Sequence, residues 1–338
     1  MAFATCRLNR NFRLRFPATS QSPEPLSVIF NKYLVKNYFS ILLAFFLLSC
    51  NTQNIDYRKD NTLIVNDIAS EQLSVINSYI NDENFNKVLV DSIYFSNAKF
   101  WKGYLGDEKA FLNWFNEKGK KQIQTWNINS KNINPTDLTI KLNQTAVEMY
   151  KFTGFSAKGE WNILYGPAWT DLGGFDDGTM LIDLAHKSNN NFDHIINFYP
   201  HELNHQIYSY TQNNIEDIVL NRIIDEGFAT YVSFIFHKKM NSAAKELVYS
   251  DDDFKFCIEN EIELLNLLKD NYYKSDEELS RKFADRSYKF KENYPGAIGY
   301  YIGFRIIEEF VKHNGQNSWK NIYKMTPREV LIKSKILE

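Results

Sequence analysis

Two carboxylates in the middle of an apolar helix constrain this chain more than any other feature. The run Asn221-Arg222-Ile223-Ile224-Asp225-Glu226-Gly227-Phe228-Ala229-Thr230-Tyr231-Val232 sets Ile223, Ile224, Phe228, Val232 and Ile235 at helical spacing. A helix of that pattern is largely buried, and a buried carboxylate is costly unless something positive meets it. A divalent cation would serve. The plainer alternative, for Asp225 more than for Glu226, is a salt bridge to Arg222 or a lysine.

The segment His201-Glu202-Leu203-Asn204-His205 supplies the matching half. Residues four apart share a helix face, so His201 and His205 can converge on one metal while Glu202, one step round, leans over its open side. Catalytic zinc sites commonly use two His and one Glu and keep a fourth position for water. Glu226 fits as the third ligand of one Zn²⁺. Asp225 fits as an acceptor for the far nitrogen of a ligand His, orienting its ring. The longer pattern H-E-x-x-H-x-x-G-x-x-H is excluded, because Tyr208 and Thr211 stand where it needs glycine and histidine. Glu216 and Asp217 read as solvated loop acids between two helices, and His186, His194, His237 and His313 as surface or packing histidines.

The pair H-E-L-N-H and D-E-G-F-A-T-Y-V, with 20 residues between His205 and Glu226, resembles the gluzincin metallopeptidases. It is most similar to a bacterial family of zinc-dependent proteases in which H-E-x-x-H precedes a D-E-G-[LF]-A-x-Y helix. The likeness covers roughly residues 163–310. It implies His201, His205 and Glu226 as ligands, Glu202 as catalytic base, and a peptide or protein substrate. Gluzincins also use a Tyr or His from a later helix to steady the oxyanion, which makes Tyr300 and Tyr301 the candidates, with Tyr294 behind them. The Gly299/Gly303 pair in that helix suggests close packing.

Around these motifs, Gly173 to Gly178 reads as a turn-rich loop and Thr179 to Leu184 as a short strand. The resemblance makes that strand the edge that would hold an extended peptide. The metal helix is expected to begin near Asn191 to Asp193, with Pro200 either kinking it or marking its true start.

Residues 38–50 combine a basic flank, an apolar core and Leu47-Leu48-Ser49-Cys50, which predicts a lipoprotein signal with lipidation of Cys50. The apolar run is too short to span a membrane. Asn51 is not the aspartate that retains some lipoproteins at the inner membrane, which leans toward the outer one. Residues 1 to about 33 are irregular for a signal, and no second methionine precedes Met149, so they read as a doubtful leader.

Residues 1–49 hold six of the 39 basic and one of the 41 acidic residues, leaving 33 against 40 and an acidic remainder. That balance argues against a nucleic-acid partner. With Cys6 in the leader and Cys50 lipidated, Cys257 has no partner for a disulfide.

The organisation expected is a leader and signal over 1–49, a tether over 50–61, an N-terminal helical region over 62–135 and a metallopeptidase region over 136–338. Helices are expected at Glu71–Tyr79, Glu108–Lys118, Leu138–Phe152, Phe254–Asp270 and Asp276–Phe283, a strand at Gly159–Leu164, and a loop over 127–137. The fold class expected is a predominantly helical α+β zincin with a small sheet beside the metal helix. Two functions follow: a lipid-anchored zinc peptidase with Glu202 as general base, or a non-catalytic zincin-fold lipoprotein that binds or assembles envelope components.

Overall fold

Runs of consecutive buried residues mark the centre of the sheet. In β2 (Gly159–Leu164), Trp161 to Leu164 are all buried, and so is every residue of β4 (Met180–Asp183). Such uninterrupted burial belongs to strands covered on both faces. The computed structural model describes residues 63–175, 178–211, 217–238 and 242–338, all within one compact unit. Cys6, Cys50, Glu216 and the leader lie outside the described residues.

The sheet runs in the order β1-β2-β4-β3. Strand β1 (Leu63–Asp67) pairs parallel with β2, and β2 parallel with β4. Strand β3 (Leu172–Gly174) pairs antiparallel with β4, with Gly173 opposite Leu181. The expected edge strand is therefore corrected. The segment around Thr179 to Leu184 is internal, and β3, which read as a turn-rich loop, forms the edge.

Helix α1 (Ile68–Tyr79) is capped by Asp67, whose carboxylate accepts from Ser70 N at 2.9 Å. It is followed by α2 (Phe85–Leu89), α3 (Ala98–Tyr104), α4 (Glu108–Glu117) and α5 (Ile123–Asn132). The rings of Trp101, Trp114, Trp126 and Tyr165 stack in sequence through this region. Helix α5 occupies part of what read as a loop over 127–137. Trp126 is its one fully buried residue and anchors it, while Ile128 is left exposed. Helix α6 (Pro135–Thr153) starts on Asn134, which accepts from the backbone of Thr136 and Asp137.

The helix that carries His201 and His205 is α7 (Phe192–Thr211), with Asn191 Oδ1 accepting from Asp193 N at 2.8 Å at its start. Pro200 lies inside it, so the helix does not begin at His201. Against it packs α8 (Ile218–Phe236), followed by α9 (Ala243–Glu246), α10 (Asp251–Glu259), α11 (Glu261–Lys269) and α12 (Glu277–Ala284). The single helix expected over Phe254 to Asp270 is broken at Asn260, whose side chain donates to Phe256 O at 2.8 Å. Helix α13 (Ile298–Asn314) and α14 (Pro327–Ser334) complete the chain.

Helices α8 and α13 meet backbone to backbone. A β-carbon added to Gly303 would overlap Ile223 O and lie 2.8 Å from Gly227 Cα. Gly227 is the glycine next to Glu226, so this approach fixes the helix that carries Glu226 against the one that carries Tyr300. The result is a predominantly helical α+β fold.

Candidate metal centre

Helix geometry brings both imidazoles to one point. His201 Nε2 and His205 Nε2 are 3.0 Å apart on adjacent turns of α7. From α8, Glu226 Oε2 lies 3.1 Å from His205 Nε2 and 3.6 Å from His201 Nε2. Ligands held tetrahedrally at about 2.0–2.1 Å from zinc stand about 3.3 Å from one another. The three separations bracket that value.

Hydrogen bonding decides what this convergence needs. His205 Nδ1 lies 2.7 Å from Asp225 Oδ1. A carboxylate oxygen accepts, so that nitrogen holds the proton and Nε2 can present its lone pair to the cluster. Glu226 Oε2 is buried and has no hydrogen-bond partner. An orphaned oxygen facing two imidazole nitrogens fits a cation. Its other oxygen, Oε1, is 3.0 Å from Arg222 Nη2, one helical turn earlier. Of the two acids for which a salt bridge to Arg222 is the plainer alternative, Glu226 makes it, and Asp225 is left to His205.

The charges reinforce the geometry. Burial opposes ionisation of Glu226, but Arg222 and His205 outweigh it and hold the carboxyl well below the usual range. Burial likewise opposes a charge on His205, yet Asp225 and Glu226 hold its pKa well above the ordinary value, so a proton competes with a metal ion for Nε2. Glu202, next to His201, is pushed the other way. Burial raises its carboxyl above the usual range, partly opposed by His201 and His205. A carboxylate raised toward neutrality suits proton transfer.

A residue without a sequence signal joins it. Asp171, just ahead of the edge strand, is 2 % exposed and its Oδ2 has no partner. Burial pushes its carboxyl up to about 7 from an ordinary 3.8; backbone N–H groups oppose the rise and nearby Glu202 adds to it. The folded chain therefore keeps a proton that the unfolded chain releases between those values, so this group's stability contribution falls as pH rises from about 4 to about 7. Asp171→Asn is expected to remove that slope. Urea unfolding at pH 8 should show the variant more stable than the parent by on the order of 2 kcal/mol, and by clearly less at pH 5. A difference independent of pH would contradict this assignment.

The loop that delivers Asp171 is pinned from below. Asp183 at the end of β4 accepts from the backbone of Gly166, Ala168 and Ala185 at 2.8–2.9 Å and from Tyr104 OH at 3.0 Å. Trp161 Nε1 donates to Gln206 Oε1 at 3.0 Å, which ties β2 to α7 next to His205. Tyr323 OH donates to Asn204 within the motif itself.

Of the two candidate tyrosines, only Tyr300 faces the cluster. Its ring lies parallel to His201 at 6.1 Å, and its pKa is raised well above the ordinary value by burial first and by Glu226 next. The Arg286 guanidinium covers that ring at 5.3 Å, and Arg286 is held in turn by Leu247 O. Tyr301 is a correction. One residue on, it turns to the other side of α13 and donates to Glu261, in a network with Arg305. Tyr294 donates to Glu263, also away from the cluster.

Asp217 is also corrected. It is buried and binds Arg328 through both oxygens, with Nη2 to Oδ1 at 2.8 Å. His186, His194, His237 and His313 stand outside the cluster; His237, for instance, pairs with Glu246 at 3.1 Å. Strand β3 has no strand on its outer edge among the described residues. No helix among them is long and apolar enough to cross a membrane.

Residues 187–336 match the family model of gliding motility protein GldB, a lipoprotein family. The matched stretch runs from the turn before α7 into the end of the chain and contains His201, Glu202, His205, Asp225, Glu226 and Tyr300. No curated protein and no solved structure matches the chain.

Proposed function

We propose that this chain is an envelope lipoprotein, anchored through Cys50, whose zincin-like centre holds one zinc ion between His201, His205 and Glu226. The observation that carries the metal is the orphaned Glu226 Oε2 facing two imidazole nitrogens. The likeness to gliding motility protein GldB supports the envelope setting and favours a role in binding or assembling surface components.

A second reading, hydrolysis of peptide bonds, is favoured by Glu202. Bound zinc would supply Lewis acidity and bring a water's pKa toward neutrality. His201, His205 and Glu226 would hold the ion and leave one position open, as catalytic sites do and closed structural sites do not. Asp225 fixes the His205 ring through Nδ1. Glu202 would take a proton from the attacking water and return it to the leaving amine. Tyr300 would donate to the oxyanion, and the free edge of β3 would pair with an extended peptide.

One experiment separates the two readings. The zinc-loaded chain and Glu202→Gln are incubated with a peptide library, and products and bound metal are both measured. Hydrolysis predicts turnover about a thousandfold lower in the variant with zinc retained. Equal cleavage by both would sink the catalytic role of Glu202. A parent that holds zinc and cleaves nothing leaves the binding or assembly role.

A further inference from the structure

We propose that Arg222 is a positioning residue that fixes how Glu226 meets the metal, by holding one carboxylate oxygen so that only the other is offered. The inference rests on the zinc reading above and adds a residue to it.

The geometry is specific. Arg222 and Glu226 are one turn apart on α8, and Nη2 to Oε1 is 3.0 Å. The opposite oxygen, Oε2, is the one that faces His201 and His205. Both side chains are largely buried, at 16 % and 2 % exposure, so the pair is not loosened by water. A carboxylate with both oxygens free can close on a cation through either or both, while a four-coordinate site with an open position needs one. The guanidinium removes the choice.

Charge balance gives the same arrangement a second use. Glu202, Asp225, Glu226 and Tyr300 all act electrostatically on Arg222. Removing the guanidinium would leave the site more negative. Simple attraction would then bind Zn²⁺ more tightly, whereas loss of positioning would bind it more weakly. The two effects have opposite signs.

Metal-free full-length chain, Arg222→Met and Arg222→Lys are titrated with zinc against a competing chelator, and with cobalt(II) while its visible absorption is followed. Methionine keeps the length and packing without charge or donor, and lysine restores the charge. The clamp predicts zinc affinity about 10- to 100-fold weaker in Arg222→Met. It also predicts weaker cobalt absorption as the coordination number rises, with substantial recovery in Arg222→Lys. If Arg222→Met does not fold by circular dichroism, Arg222→Gln takes its place and the same changes in affinity and absorption are expected of it. Affinity equal to or tighter than that of the parent, with an unchanged cobalt spectrum, overturns the clamp alone. A parent that binds no zinc overturns the metal reading, and the clamp with it.

Discussion

Gly303→Val is expected to cost about 4 kcal/mol or more and to empty the metal site. Overpacking normally costs less than this, because side chains can move aside. Here the first atom met is backbone: a β-carbon at this position overlaps Ile223 O and crowds Gly227. Relief requires α13 to retreat from α8, which separates Tyr300 from Glu226 and disturbs the third ligand. Thermal unfolding should fall by roughly 10 °C. Gly103→Ala is the control, since a β-carbon there meets nothing within 4 Å and the residue sits inside α3. That variant should match the parent or exceed it slightly. A Gly303→Val chain with parental stability and zinc affinity would mean that the close approach does not position the site.

Glu226→Gln should produce the second large effect, in two separable parts. Zinc affinity should fall more than about a hundredfold, beyond the loss typical of residues that merely orient ligands. The metal-free protein should also lose about 3 kcal/mol, because buried Arg222 loses the carboxylate it pairs with one turn away. Chemical denaturation in chelator reads the second part alone. If the metal-free variant is as stable as the parent, the guanidinium has another partner sufficient to hold it, and Glu226 matters only for the ion.

The candidate ligands were legible because their geometry is local. Positions 201 and 205 share a helix face whatever the rest of the chain does, and carboxylates at 225 and 226 inside an apolar helix demand compensation. Gly299 and Gly303 likewise signalled close packing, although the partner, Gly227, came only with the tertiary structure. The spacing of Arg222 four residues before Glu226 was visible too. What one chain cannot reveal is which of two adjacent acids the guanidinium takes.

Elements defined by distant partners stayed hidden. Strand β1 is short, and Asn66 meets its partner Asn162 across 96 residues. Strand β3 is Leu-Gly-Gly, a composition of turns, and is a strand only because β4 lies beside it. Asp217 looked solvated because its partner, Arg328, is 111 residues away. Tyr300 and Tyr301 are chemically alike, and only the rotation of α13 against α8 separates the one facing His201 from the one facing Glu261. Asp171 is unremarkable in sequence. Its importance comes from burial next to Glu202.

A single divalent ion between His201, His205 and Glu226 is measured most directly by anomalous diffraction from zinc-loaded crystals on either side of the zinc absorption edge. One peak should appear about 2.0–2.1 Å from His201 Nε2, His205 Nε2 and Glu226 Oε2, and vanish below the edge. Crystals with no peak among these atoms, or with Glu226 turned away from both imidazoles, would contradict it.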